Sequence, residues 1–193
     1  MTPELLKGLR MLGNIGRVFN VKKLAEIKAR YEDHDYVKGV LKTLHASFRG
    51  IDHQIDTYFK VPRGRLKFRE GNIENYLIYY ERKETKDIKQ SHVILYPLKP
   101  NSSLKDILTR VLEPLVIVYK RREIYYVDNV KVHLDSVKDL GRFVEVEAHD
   151  EQNITPSDKL FKQVKHYIKL FDIPPKELVD ASYADLLLQQ FRT

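Results

Sequence analysis

From residue 24 to residue 148 the chain falls into about nine short runs of β-branched and aromatic residues in which charged and apolar side chains alternate. A period of two marks β-strands whose successive side chains point to opposite faces. The runs are 24–31, 51–59, 65–70, 76–82, 91–97, 115–122, 124–127, 130–137 and 143–148. Asp128-Asn129 is a tight-hairpin signal and Gly141 punctuates the next connection. Both predict consecutive antiparallel, meander-like pairing.

Helical spacing appears in four places: 36–45, 104–111, 156–171 and 183–190. Ser103 with Asp106, Thr155 with Asp158, and Ser182 with Asp185 each set a hydroxyl three residues before a carboxylate, a variant of the capping box. In the third helix Leu160, Val164, Tyr167, Ile168 and Phe171 form one apolar stripe, with Lys162, Lys165 and Lys169 facing away. Residues 1–20 read as an N-terminal extension with a short basic amphipathic helix over Thr2 to Phe19, folded back on its own domain or bound to a partner or membrane surface. With no repeat, low-complexity tract or linker, residues 21–193 form one domain.

Composition narrows the chemistry. The chain has 193 residues, and its 34 Lys and Arg stand against 27 Asp and Glu, a net charge of +7 with both signs in heavy use. That balance fits a folded domain better than a basic tail or a disordered segment. The absence of cysteine excludes thiol catalysis, Cys-ligated zinc, iron–sulfur clusters and disulfides, and suits a reducing cytoplasm. No apolar run is long enough to span a membrane and no secretory leader is legible, so Asn101 and Asn153 are read as turn residues rather than glycosylation sites. Gly13 and Gly16 lack the Lys-Ser or Lys-Thr of a phosphate loop, no His pair has zinc-protease spacing, and no Gly-x-Ser-x-Gly elbow occurs. His133 and His149 are expected at the surface or in packing roles.

The charged positions share faces. Glu26, Lys28 and Arg30 lie on one side of the first strand, Arg65, Lys67 and Arg69 on one side of the third, then Lys120 with Arg122, Asp135, and Glu145 with Glu147. Ile27, Ala29, Leu66, Phe68, Leu134, Val144 and Val146 occupy the opposite side. Any one such strand is an ordinary half-buried strand with a wet face. Taken together, the basic and acidic doublets segregate onto different strands, and striped helices are available to cover an apolar outer face. If the sheet closes, the charges line a lumen. Clustered cations suit a polyanion, and three or four carboxylates beside them suit Mg²⁺ or Mn²⁺. The expected fold is α+β, a closed antiparallel β-barrel with peripheral helices.

Several stretches together resemble the CYTH or triphosphate-tunnel superfamily, which joins class IV adenylyl cyclases with thiamine and inorganic triphosphatases. They are Glu-Ile-Lys-Ala-Arg at 26–30, Asp-Thr-Tyr-Phe at 56–59, Pro-Arg-Gly-Arg-Leu-Lys-Phe-Arg-Glu at 62–70, Leu-Ile-Tyr-Tyr-Glu-Arg at 77–82, Lys-Arg-Arg at 120–122, His-Leu-Asp at 133–135, Leu-Gly-Arg-Phe-Val-Glu-Val-Glu at 140–147, and Ser-Tyr-x-x-Leu-Leu at 182–187. Their order and spacing agree over about residues 24–188.

The resemblance implies a tunnel that binds a metal-chelated triphosphate. It assigns phosphate binding to Lys28, Arg30, Lys67, Arg69, Arg82, Lys120 and Arg122, and the Mg²⁺ or Mn²⁺ ligands to Glu26, Asp135, Glu145 and Glu147. Leu24 replaces the first glutamate of the Glu-x-Glu-x-Lys signature. In this reading Arg69 and Arg122 grip phosphate oxygens in planar forks, Lys67 and Lys120 act as point charges, and Lys28, crowded by other cations, serves as base for a water. The partner expected is a triphosphate or nucleotide, with no nucleic acid and no membrane span. Three activities follow: hydrolysis of an inorganic or organic triphosphate, class IV adenylyl cyclase chemistry on ATP, or non-catalytic polyphosphate or nucleotide binding.

Overall fold

The computed structural model describes residues 21–82, 89–99, 102–150 and 154–191. Among them are eight antiparallel strands, β1 (Val21–Arg30), β2 (Ser47–Phe59), β3 (Arg65–Glu70), β4 (Tyr76–Arg82), β5 (Lys89–Pro97), β6 (Pro114–Val127), β7 (Val130–Val137) and β8 (Gly141–Asp150). The four α-helices are α1 (His34–Thr43), α2 (Leu104–Val111), α3 (Ser157–Leu170) and α4 (Tyr183–Gln190). This is the expected α+β class; the N-terminal extension lies outside the described residues.

Eight strands stand where about nine were expected, because 115–122 and 124–127 are one strand. Glu123, which interrupts the apolar run, keeps the ladder in register with Ile51 and Leu134 and satisfies its carboxylate on Arg121, Tyr125 and Lys38. Helix α1 starts two residues early, since the Asp33 side chain accepts from the Tyr36 amide. Of the three expected capping boxes only Ser182 with Asp185 forms. Ser103 itself has helical dihedrals, which turn its hydroxyl away, and α3 begins after Pro156 rather than at Thr155.

Two meanders, β2-β3-β4-β5 and β6-β7-β8, are joined by the long β2–β6 ladder. Strand β1 pairs with β5 on one side and β8 on the other. The order β1-β5-β4-β3-β2-β6-β7-β8 thus returns to β1, and each strand has two neighbours. The β6–β7 turn is the Asp128-Asn129 pair, with Asp128 at φ 50.

Period two then sorts the side chains. The outward residues Ile27, Ala29, Val132, Leu134, Val144 and Val146 pack with Val37 and Leu41 of α1 and with Leu160, Val164 and Ile168 of α3. Each fully buried aliphatic of this layer contributes about 1.5–3 kcal/mol, so the apolar core lies outside the ring of strands, under helices. A second cluster seats Tyr183, Ala184 and Leu187 of α4 on Tyr58, Val118, Val137 and Phe143. The charged residues are left facing inward.

Candidate active site

Inside the ring is a cavity of ≈ 140 Å³. Eight of the eleven expected site residues line it: Glu26, Lys28, Lys67, Arg69, Lys120, Arg122, Glu145 and Glu147. Leu24 lines it too, which places residues 24, 26 and 28 on one inward face of β1. Of the other three, two are not brought to it. Arg30 is exposed and donates to the Leu140 carbonyl at 2.7 Å. Asp135 lies behind the lining, accepting from Arg122 Nε at 2.7 Å and from the Tyr183 hydroxyl at 2.7 Å. Arg82 ends β4, and its side chain lies outside the described residues.

The interior cations are held by buried carboxylates rather than left to repel one another. Asp56 takes Arg69 on both oxygens at 2.7 and 2.9 Å and also binds Lys67 and Lys120. Glu145 binds Lys28 at 2.6 Å and Arg122 at 2.7 Å. Glu74 binds Arg69 and Lys131. The forks of Arg69 and Arg122 are therefore turned on Asp56 and Asp135. Neighbouring guanidinium and ammonium groups outweigh burial and keep the Asp56, Glu74 and Glu145 carboxyls well below the usual range.

Among the lysines it is Lys120 that the structure crowds with cations. Burial first, then Arg69, Arg122 and Lys67, push its ammonium down to about 7 against the pull of Asp56. Lys28 instead sits against Glu145 and 4.4 Å over the Tyr183 ring. Tyr183, placed at the start of α4 by the Ser182 cap, lines the cavity as well. Burial and Asp135 raise its hydroxyl well above the ordinary tyrosine value, so it stays a donor.

Beside Lys28, His133, Glu145 and Glu147 gather. One donor atom from each lies within 4.8 Å of the others. His133 Nδ1 is 3.3 Å from Glu145 and 3.7 Å from Glu147, and His149 Nε2 is 3.0 Å from Glu147. The His133 Nε2 atom is buried without a hydrogen-bond partner among the described residues. Two carboxylates and an imidazole fit a divalent cation. Burial and the Arg122 charge push the His133 imidazolium below the ordinary histidine value, which keeps the ring neutral for ligation.

His133 and His149 thus stand in the site, not in the packing or surface roles expected of them. His133 was legible: on a strand of period two it lies two residues from Asp135, and Lys131 lies two residues further along the same face. Glu74 carried no sequence signal, because it sits in the β3–β4 turn. That turn is tied by Asp52, which accepts from the Ile73 and Glu74 amides at 2.9 and 3.0 Å. At Gly71 a Cβ would lie 2.6 Å from the same carboxylate.

The opposite wall is apolar and aromatic. Ile78 and Tyr80 of β4, Val93 and Leu95 of β5, and Tyr58 line it. Glu74, Tyr76, Leu95, Lys131 and His149 are shared with a wider vestibule of ≈ 660 Å³ between the β6–β7 hairpin and the start of α3. No helix among the described residues is long and apolar enough to cross a membrane.

Comparison with known proteins agrees with this architecture. The CYTH domain matches residues 23–172. The Methanocaldococcus jannaschii protein named "Putative adenylate cyclase MJ0240" is 25% identical over 171 residues, covering 83% of this chain and 96% of its own. The PH1012 protein of Pyrococcus horikoshii superposes with a TM-score of 0.74 at 22% identity, over 84% of this chain and 98% of that one. A Vibrio parahaemolyticus structure titled a putative adenylate cyclase superposes at 0.72 with 17% identity, over 87% and 99%. The last two show a shared fold. With the family match spanning most of the chain and its charged signature positions turned inward, this protein belongs to the CYTH domain family.

Proposed function

We propose that the ring of strands is a closed tunnel that binds the phosphate chain of a triphosphate with a divalent metal and promotes displacement at phosphorus. The observation that carries this reading is the convergence of Lys28, Lys67, Arg69, Lys120, Arg122 and Lys131 on one cavity with the His133, Glu145 and Glu147 donors. Phosphoryl and nucleotidyl transfer need positioning and neutralisation of charge more than covalent help, and six cations on four strands, all of them buried except the half-buried Lys67, provide both.

Glu145 and Glu147 with His133, and Glu26 beside them in register with Glu147, would hold Mg²⁺ or Mn²⁺. The ion supplies neutralisation of the phosphate chain. Glu145, engaged as a ligand, would leave Lys28 and Arg122 to face the anion. Lys120, whose ammonium is pushed down to about 7 in the empty site, is held in its protonated form by the bound phosphate chain and adds its charge to the clamp.

Hydrolysis of the triphosphate is the first reading. The second is adenylyl cyclase chemistry, in which the ribose 3′-oxygen attacks the α-phosphorus; the name of the M. jannaschii relative favours it. Incubation with ATP, tripolyphosphate and thiamine triphosphate, each with Mg²⁺ or Mn²⁺ and read by mass, tests both. Released phosphate selects hydrolysis, cyclic AMP selects the cyclase, and binding without product selects a non-catalytic phosphate-binding protein. Absence of binding to all three overturns the tunnel reading.

A further inference from the structure

Asp56 is 1% exposed and has no role in the reading above, yet it holds three of the phosphate-facing cations. Its two oxygens accept from Arg69 Nε and Nη2, Lys67 reaches it at 3.2 Å and Lys120 at 2.8 Å. The ladder places it there: on β2 it faces Arg69 of β3, and Lys120 of β6 lies opposite Gln54, two residues away on the same face. Glu74 also touches Arg69 but is shared with Lys131. One carboxylate thus serves three cations, and this part of the lumen lacks two negative charges. A buried charge deficit is costly in the low-dielectric interior. A second oxyanion would remove it.

We infer that Asp56 is a built-in counter-anion: it holds Lys67, Arg69 and Lys120 in place while the lumen is empty, and by its charge it restricts the site to ligands bringing more negative charge than a single small anion. This rests on the phosphate-binding reading. Asp56 is a positioning residue, acting through the three cations. With Asp56 present, orthophosphate finds the cations largely satisfied, whereas a triphosphate with several charged groups both compensates the deficit and reaches further cations.

The test uses Asp56→Asn, which keeps shape and removes charge, in melting and calorimetric titrations at matched ionic strength. The unliganded variant should melt lower than wild type, and orthophosphate, which scarcely moves the wild type, should restore it. Its orthophosphate affinity should rise by roughly tenfold, since one buried like charge no longer opposes the anion. A purely structural Asp56 gives the lower melting temperature without rescue by phosphate. The double variant Asp56→Asn/Lys120→Met removes one charge of each sign and should recover most of the lost melting temperature with no anion added.

An Asp56→Asn protein that melts like wild type, one that phosphate does not rescue, or a double variant no better than the single overturns the inference. Failure of tripolyphosphate to bind both wild type and variant is a different result. It removes the phosphate reading, while recovery in the double variant would still report the charge balance.

Discussion

Lys28 on β1 and Glu145 on β8 are register partners whose side chains meet at 2.6 Å inside the ring of strands. The same carboxylate reaches Arg122 at 2.7 Å and stands in the three-donor cluster with His133 and Glu147. Metal ligation and phosphate binding therefore compete with the same ion pairs, and each should promote the other by breaking them.

Tripolyphosphate and Mg²⁺ together should raise the melting temperature by more than the sum of their separate effects, because only the native state binds them, the metal draws Glu145 away from Lys28 and Arg122, and the phosphate chain draws those cations away from Glu145. Orthophosphate should do little. Thermal shift measurements over a grid of both ligands check this; additive effects would mean that Glu145 is not shared.

Arg122→Ala and Lys120→Met should separate binding from stability. Each should weaken tripolyphosphate binding by about 1.5–3 kcal/mol, the range for hydrogen bonds to charged groups. Arg122→Ala leaves Asp135 and Glu145 buried beside one another, at a cost of about 3–5 kcal/mol in stability. Lys120→Met leaves Asp56 with Arg69 and Lys67 and should be near neutral or stabilising. Denaturant unfolding with calorimetry on both variants checks the pattern.

The displaced ammonium of Lys120 sets a pH window. In the folded state it titrates at about 7 and in the unfolded chain near 10.5. Below 7 both states hold the proton and the cost of burying the charge is felt in full. Between 7 and 10.5 the unfolded chain binds a proton that the native state lacks, so this group's contribution to stability improves as pH rises. Lys120→Met should flatten that slope relative to wild type. Tripolyphosphate favours the protonated form, so wild-type affinity should fall above pH 7 and the variant's should not follow it.

Leu24→Glu adds a carboxylate on the face that carries Glu26, in register with His149. Hard divalent ions gain affinity with carboxylate count, so half-maximal Mg²⁺ or Mn²⁺ binding should occur at lower concentration. The metal-free variant should be less stable from carboxylate repulsion. An unchanged metal requirement would show that residue 24 does not reach the ligand cluster.

His133→Gln should lower affinity for Mn²⁺ and Zn²⁺ more than for Mg²⁺, because an imidazole favours the borderline ions. Metal titration by calorimetry on the substrate-free protein checks this independently of turnover.

Much of the molecule was written in its period-two pattern. Strands β3, β4 and β7 and helices α2 and α4 have the bounds that their residues predict, and Leu24, Glu26 and Lys28 share the inward face that alternation assigns. Alternation is a local property, set by the pleat, so it is legible one strand at a time. What it cannot carry is which strands meet. Pairing of β2 with β6, and of β1 with both β5 and β8, joins residues far apart in the chain. Those pairings decided that Asp56, already set against Lys67 and Arg69 by the neighbouring strand, would also meet Lys120, and that Glu145 would hold Lys28. Residue types and faces come from the chain's own chemistry. The full set of ion pairs arises when long-range ladders close those faces into a desolvated interior, where each charge must find a partner.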